Sequence, residues 1–288
     1  MSCKNVPIPP TAEAAGLRNL VFCEDFETDM AIDFSGEGKE GYSFYANRMK
    51  GGLTLSPTEA EMRNSVVYLR PSIVGKTGNI STRSNVRPIG FSMHFGYVEI
   101  CMRASCPIGR HKHWPKFWGF GVGDSNGDNW KEKAELVVVE LTDPLDKGRS
   151  RSRGKDMIYA GVLHAMRREG DQTFMCSNSV NATGFNDDFA YVDTDWHTYG
   201  VLWEPGHVAW YMDNKLMHSA RYAGGVLPQY FHRDDPTPLP RIEHLRPAWK
   251  ALPWEGAHTV TDRETLAFSL ACHPYWVMDV DWVRVWQE

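Results

Sequence analysis

Between Leu20 and Trp286 the chain is written in short runs of β-branched and aromatic residues, each closed within a few positions by Gly, Pro, Asn or Asp. No stretch shows the spacing of an amphipathic helix, so an all-β architecture is the expectation. Along Gly96-Tyr97-Val98-Glu99-Ile100-Cys101-Met102-Arg103, Val98, Ile100 and Met102 share one side of an extended chain and Glu99, Cys101 and Arg103 the other. That is the pattern of a sheet strand with one polar face. Asp213-Asn214, between two apolar runs, signals a hairpin turn. Ten or more such strands predict an antiparallel β-sandwich of jelly-roll type. Residues 1–18 read as a polar lead-in and 19–288 as one domain. Residues 71–84, rich in Gly, Ser, Thr and Asn, read as a loop, and 224–261, with six Pro, as a long irregular insertion.

The stretch Glu135-Leu136-Val137-Val138-Val139-Glu140-Leu141 carries the first functional candidates. Its aliphatic middle favours a strand, and an unpaired carboxylate buried in a strand costs several kcal/mol or gives up its charge. Side chains alternate faces, so positions 135 and 140 point opposite ways in a regular strand. A single β-bulge between them brings both to one face. The competing expectation is one Glu on a solvated face and the other salt-bridged at the strand end.

At 288 residues and 32.7 kDa the chain has enough length to bury a large core. Its 11 Trp and 11 Tyr offer flat amphipathic faces suited to sugar rings as well as to β cores. A net charge of -5 argues against general nucleic-acid affinity. No apolar run approaches the roughly 18 residues of a membrane span, and the first 20 residues lack the apolar centre of a secretory signal. The six Cys show no zinc spacing, and disulfides in a chain of this size are optional.

Several segments together resemble glycoside hydrolase family 16. Phe95–Ile100 is similar to that family's "FGY-E-R" strand, Trp114-Pro115-Lys116-Phe117-Trp118 to its "WPAFW" and Trp196–Tyr199 to its "FHTY". Trp210–Lys215 is similar to its "WYVDGK" hairpin, and Asp279–Trp286 to its closing "YVDYVRV". The resemblance implies a concanavalin A-like jelly roll with a glycan cleft on its concave face. It also places Glu135 and Glu140 on the two Glu of the motif Glu-x-Asp-x-x-Glu. The implied roles are Glu135 as nucleophile and Glu140 as general acid/base of a retaining mechanism. The motif's central Asp is Val137 here, which can neither accept a hydrogen bond nor donate one to the nucleophile. The resemblance therefore carries two outcomes, a retaining endo-glycosidase or a non-catalytic glycan binder on the same frame; a jelly roll without glycan contact is a third.

The same resemblance proposes Asn47, Arg83, Trp114, Trp118 and His164 as substrate-binding residues, with Trp114 the more exposed of the two indoles. Each has a plainer role open to it, as loop hydrogen-bonder, core aromatic or structural His. Glu24 and Asp281 fall where some members bind a structural calcium through hard oxygen ligands; surface salt bridging is the alternative, and no cofactor is required for the reaction. Family substrates include β-glucans, agars and carrageenans. Val138-Val139-Glu140-Leu141-Thr142 and Asp279-Val280-Asp281-Trp282 look most like the carrageenases. Lys112, Lys116, Arg83 and the basic run 147–155 offer cations for sulfate esters. The expected partner is thus a polysaccharide, an algal galactan ahead of a β-1,3-glucan, acted on by a secreted or cell-surface monomer.

Overall fold

In a computed structural model of the protein, the residues described are 3, 6–46, 53–72, 78–105, 115–122, 132–142, 157–169, 172–181, 191–221, 229–232, 235–238, 265–274 and 276–288. Among them a short helix, α1 (Pro10–Ala14), precedes twenty strands. These are β1 (Asn19–Glu24), β2 (Ile32–Asp33), β3 (Phe44–Tyr45), β4 (Leu53–Thr54), β5 (Ala60–Arg63), β6 (Val66–Leu69), β7 (Gly78–Ser81) and β8 (Gly96–Ser105). Then come β9 (Lys116–Gly121), β10 (Glu132–Thr142), β11 (Met157–Glu169), β12 (Gln172–Asn181), β13 (Tyr191–Val192), β14 (His197–Glu204), β15 (His207–Met212) and β16 (Lys215–Arg221). The last four are β17 (Gln229–His232), β18 (Asp235–Pro238), β19 (Leu266–Cys272) and β20 (Val277–Gln287).

The strands form two sheets. One runs β18-β17-β16-β15-β14-β8-β20-β6-β5, with β1 also paired to β20. The other runs β12-β11-β10-β9-β19-β7-β3-β2, with β13 on β11 and β4 on β7. Pairing is antiparallel except at β2–β3 and β4–β7. The sheets enclose one apolar core to which the first gives Val98, Ile100, Met102, Val201, Trp203 and Trp210, and the second Phe117, Leu136, Val138, Leu163 and Phe268. The all-β sandwich expected from the strand periodicity is the architecture observed, and the Asp213-Asn214 hairpin is present with both residues at positive φ (49° and 61°).

Three stretches differ from expectation. Residues 78–81 of the anticipated loop are strand β7, whose four residues are all buried; packing against Leu55 and pairing with β19 outweigh its loop-like composition. Strands β17 and β18 lie within the long insertion, the rest of which is outside the described residues. Most of the polar side of β8 is not solvated either: Glu99 is 5% exposed and Cys101 9%, and only the Arg103 side chain, at 41%, reaches solvent. The lead-in covers part of that face, with Ala12 and Leu17 packing against Tyr97, Leu202 and Trp286. A Cys3–Cys23 disulfide ties the segment to β1, and the Cys3 amide donates to Asp25 at 2.9 Å. Burial pushes the Glu99 carboxyl up to about 7, although Tyr97 donates to it at 3.1 Å and Arg284 stands across the ladder.

On the same sheet, His197 of β14 holds the turn of the β15–β16 hairpin. Its Nδ1 bonds Asp213 at 2.7 Å and its Nε2 bonds Asp193 at 2.9 Å. The hydrogen bond to Asp213, followed by that to Asp193, raises the imidazole to about 9 from its ordinary 6.5. Because the folded value lies above the unfolded one, this clip contributes fully below pH 6.5 and loses its contribution as pH rises through 9. Replacing Asp213 by Asn keeps the left-handed turn but removes the ion pair. Thermal melts should therefore show D213N below wild type at neutral pH, with the gap closing above about pH 10; a gap independent of pH would overturn the ionic account.

Candidate active site

Strand β10 is not regular. Against β11, Val137 pairs with Val162 but Glu140 with Ala160, and against β9, Val137 pairs with Trp118 but Val139 with Phe117. One extra residue has entered β10, and Val138 has no ladder partner on either side. The packing shows the change of parity. Ala134, Leu136 and Val138 enter the inter-sheet core as alternation requires, but Val139 enters it too, and so does Leu141. Glu135, Val137 and Glu140 consequently share the opposite face, where Val137 packs with Trp118, Phe120 and Ala271. The expected bulge is present and brings the two half-buried carboxylates to one side.

Polar groups exposed by a bulge in a dry core need partners. The Trp210 indole N–H, from the opposite sheet, donates to the Val137 carbonyl at 2.8 Å. The Tyr159 hydroxyl donates to the Val138 carbonyl at 3.2 Å. Neither residue was singled out for such a role from the sequence: Val137 and Trp210 lie 73 positions apart, and nothing local to either indicates the other.

Ladder register lays out the rest of the face. Glu135 stands beside Phe120 on one side and His164 on the other; Val137 is in line with Trp118 and then Ser269; Glu140 is in line with Lys116 and then Ala271. Trp118 is 7% exposed, and Lys116 holds its ammonium 4.0 Å from the centre of the Trp118 ring. The neighbouring Ala267, Ser269 and Ala271 are small and fully buried. For His164 the strand position is described but not the side chain. Asn47, Trp114, Lys112 and the 147–155 run lie outside the described residues. Arg83 is half-buried in the turn after β7, where its carbonyl accepts from the Ser81 hydroxyl at 2.7 Å.

Glu24 and Asp281 are engaged separately. Burial raises the Glu24 carboxyl, which takes the Phe26 amide and a hydrogen bond from Ser43. Burial also raises Asp281, against the pull of Arg284. Among the described residues no three His, Cys, Asp or Glu side chains converge as a metal site, and no helix is long and apolar enough to cross a membrane.

A two-sheet antiparallel sandwich with paired carboxylates on one outer face is thus the class of structure in hand. Residues 173–262 match the sequence model of "Glycosyl hydrolases family 16", the family expected from the motifs; the carboxylate pair precedes that stretch. A keratan-sulfate endo-1,4-beta-galactosidase of Sphingobacterium multivorum is 25% identical over 98% of this chain and 61% of its own length. A glucan endo-1,3-beta-glucosidase of Cryptopygus antarcticus is 28% identical over 41% of this chain and 37% of its own. The chain therefore spans less than two thirds of either relative. Among solved structures, porphyranase B of Zobellia galactanivorans shares the fold, with a TM-score of 0.53 at 16% identity over 93% of this chain and 92% of that one.

Proposed function

We propose that the chain is a retaining endo-β-glycosidase acting on a sulfated galactose polymer. The observation that carries it is the bulge, which sets Glu135 and Glu140 on one face of β10. Glu140 protonates the glycosidic oxygen as Glu135 attacks the anomeric carbon, forming a glycosyl-enzyme ester and releasing the leaving sugar as an alcohol. Glu140 then takes a proton from water, whose oxygen displaces Glu135 and restores both groups. A retaining pair requires the carboxyls about 5 to 5.5 Å apart. Trp118, buried in line with Val137, underlies the face between the two carboxylates, and Lys116, in line with Glu140, supplies a cation for a sulfate ester. The Sphingobacterium relative supports this substrate class; the Cryptopygus one supports β-1,3-glucan as the second choice.

Glu135→Gln and Glu140→Gln should each lower kcat by roughly 10²–10⁴ on the polymer that the wild type cuts, out of a panel of keratan sulfate, carrageenans, porphyran, agarose and laminarin. Proton NMR of the first products should show the β-anomer. An unchanged rate for Glu135→Gln sinks the assignment.

One observation favours a second reading. Val137 is 2% exposed and fills the position between the two carboxylates with hydrocarbon. A valine there cannot hydrogen-bond Glu135, and on this second reading the site binds glycan without cutting it. Val137→Asp should raise kcat by about tenfold, equivalent to ~1.4 kcal/mol, if chemistry is merely weakened. Its cost in thermal stability should be roughly 1–3 kcal/mol, from burying a polar group. If neither wild type nor Val137→Asp releases reducing ends while both are retarded in affinity gels, the binder is the right description.

A further inference from the structure

We propose that Trp210 is a positioning residue: by holding the Val137 carbonyl from the opposite sheet it maintains the bulge, and through it the spacing of Glu135 and Glu140. The proposal rests on those two carboxylates being the reacting pair, and it adds what keeps them paired.

A bulge in the middle of a buried strand has a ready competitor, the regular strand one residue out of register. That slip restores alternation and sends one Glu to the core side. What opposes it is the capture of the carbonyls that the bulge turns away from the ladder. Trp210 is fully buried, bonds the Val137 carbonyl at 2.8 Å, and has its ring fixed by stacking on His218 with centroids 4.5 Å apart and planes at 18°. The indole reaches β10 by passing over Gly161. This residue stands between Val162 and Ala160, the partners of Val137 and Glu140, and so faces the two residues of the bulge, Val138 and Val139. A Cβ at Gly161 would lie 2.4 Å from the Trp210 Cδ1 and 2.6 Å from its Nε1. Only glycine leaves the indole its path. Tyr159, two residues before Gly161 on the same strand, holds the next carbonyl, that of Val138, and is itself stacked on Tyr199 with planes at 16°. The donors thus come from both sheets, and the spacing of the carboxylates is fixed by the packing of the sandwich.

Trp210→Phe keeps an aromatic ring and deletes the N–H. On the polymer cut by the wild type, kcat should fall 10- to 100-fold with KM within about twofold, because the carboxylates are mispositioned while the binding surface is intact. Two carboxyls that drift apart couple less, so the two limbs of the pH profile of kcat/KM should also move closer together. Trp203→Phe is the control, a fully buried Trp of the same sheet whose ring packs edge-on against Phe95. It should lower Tm and leave the pH profile alone. Amide exchange gives a readout that needs no activity: the 137–141 segment should exchange about tenfold faster in Trp210→Phe, and that of β6, four strands away from β15 in its sheet, at the wild-type rate. Should Trp210→Phe fail to fold, Tyr159→Phe carries the same test through a single hydroxyl, with changes in the same direction. Wild-type kcat, pH profile and exchange at 137–141 in the folded variant overturn the proposal. A wild type inactive on every polymer defeats the glycosidase reading, and the exchange result then still decides whether Trp210 holds the bulge.

Discussion

Alternation along a β-strand is a matter of backbone geometry, and it forbids two side chains five residues apart from sharing a face unless the strand takes in an extra residue. Strand β10 meets that constraint at Val138, which pairs with neither neighbour, and at Val139, which enters the core where a regular strand would turn outward. Much of the surrounding sequence makes sense as accommodation of this irregularity. Three consecutive valines let either side chain of the bulge be buried without a polar cost. Gly161 opposite leaves space, and Trp210 and Tyr159 satisfy the carbonyls. Remove one donor and a buried acceptor is stranded at roughly 1–3 kcal/mol, a large part of the margin by which folded domains are stable.

The outer face of the other sheet follows a different logic. It carries charge where the strand pattern reads as solvent-facing, yet Glu99, Asp279 and Arg284 are all at most 5% exposed. Asp279 is compensated directly, by Arg70 at 2.5 Å and Arg103 at 2.9 Å. Removing either arginine from a pair with so buried a partner costs more than the pair contributes, because the carboxylate remains. Glu99 is compensated only partly, and its raised proton affinity records the deficit. The disulfide to Cys23 and the apolar contacts of Ala12 and Leu17 hold the lead-in over this region.

This contrast explains what was legible in the sequence. Alternation identified β8, β14 to β16 and β20, because each carries an apolar side into the common core, and the Asp213-Asn214 pair identified its hairpin because left-handed turns admit few residue types. Parity alone raised the need for a bulge at Glu135–Glu140. What could not be read depends on contacts far apart in the chain. Tyr97 is packed by a segment some eighty positions earlier, β7 is a strand only because β19 and Leu55 are there to receive it, and the bulge is fastened by an indole 73 residues away. Lys116 is similar: its place in the "WPAFW"-like segment was visible, but not that the ladder sets it in line with Glu140.

The position between the carboxylates then acquires a sharper meaning. In a Glu-x-Asp-x-x-Glu arrangement the bulge follows the Asp, so the middle side chain shares the face of the pair; here that side chain is Val137, packed on Trp118 and Phe120. A hydrocarbon there offers neither a proton nor a hydrogen bond to either carboxylate. The order of the two roles would then rest on the surroundings, with Lys116 in line with Glu140 and Phe120 and His164 flanking Glu135. On the proposed assignment of Glu140 as the acid, a cation beside it opposes its protonation unless another anion engages that cation, and a sulfate ester would be such an anion. Read this way, a sulfated polymer would free Glu140 to hold its proton, whereas a neutral glycan would leave the ammonium to compete for it. Specificity and acid strength would then meet in one lysine.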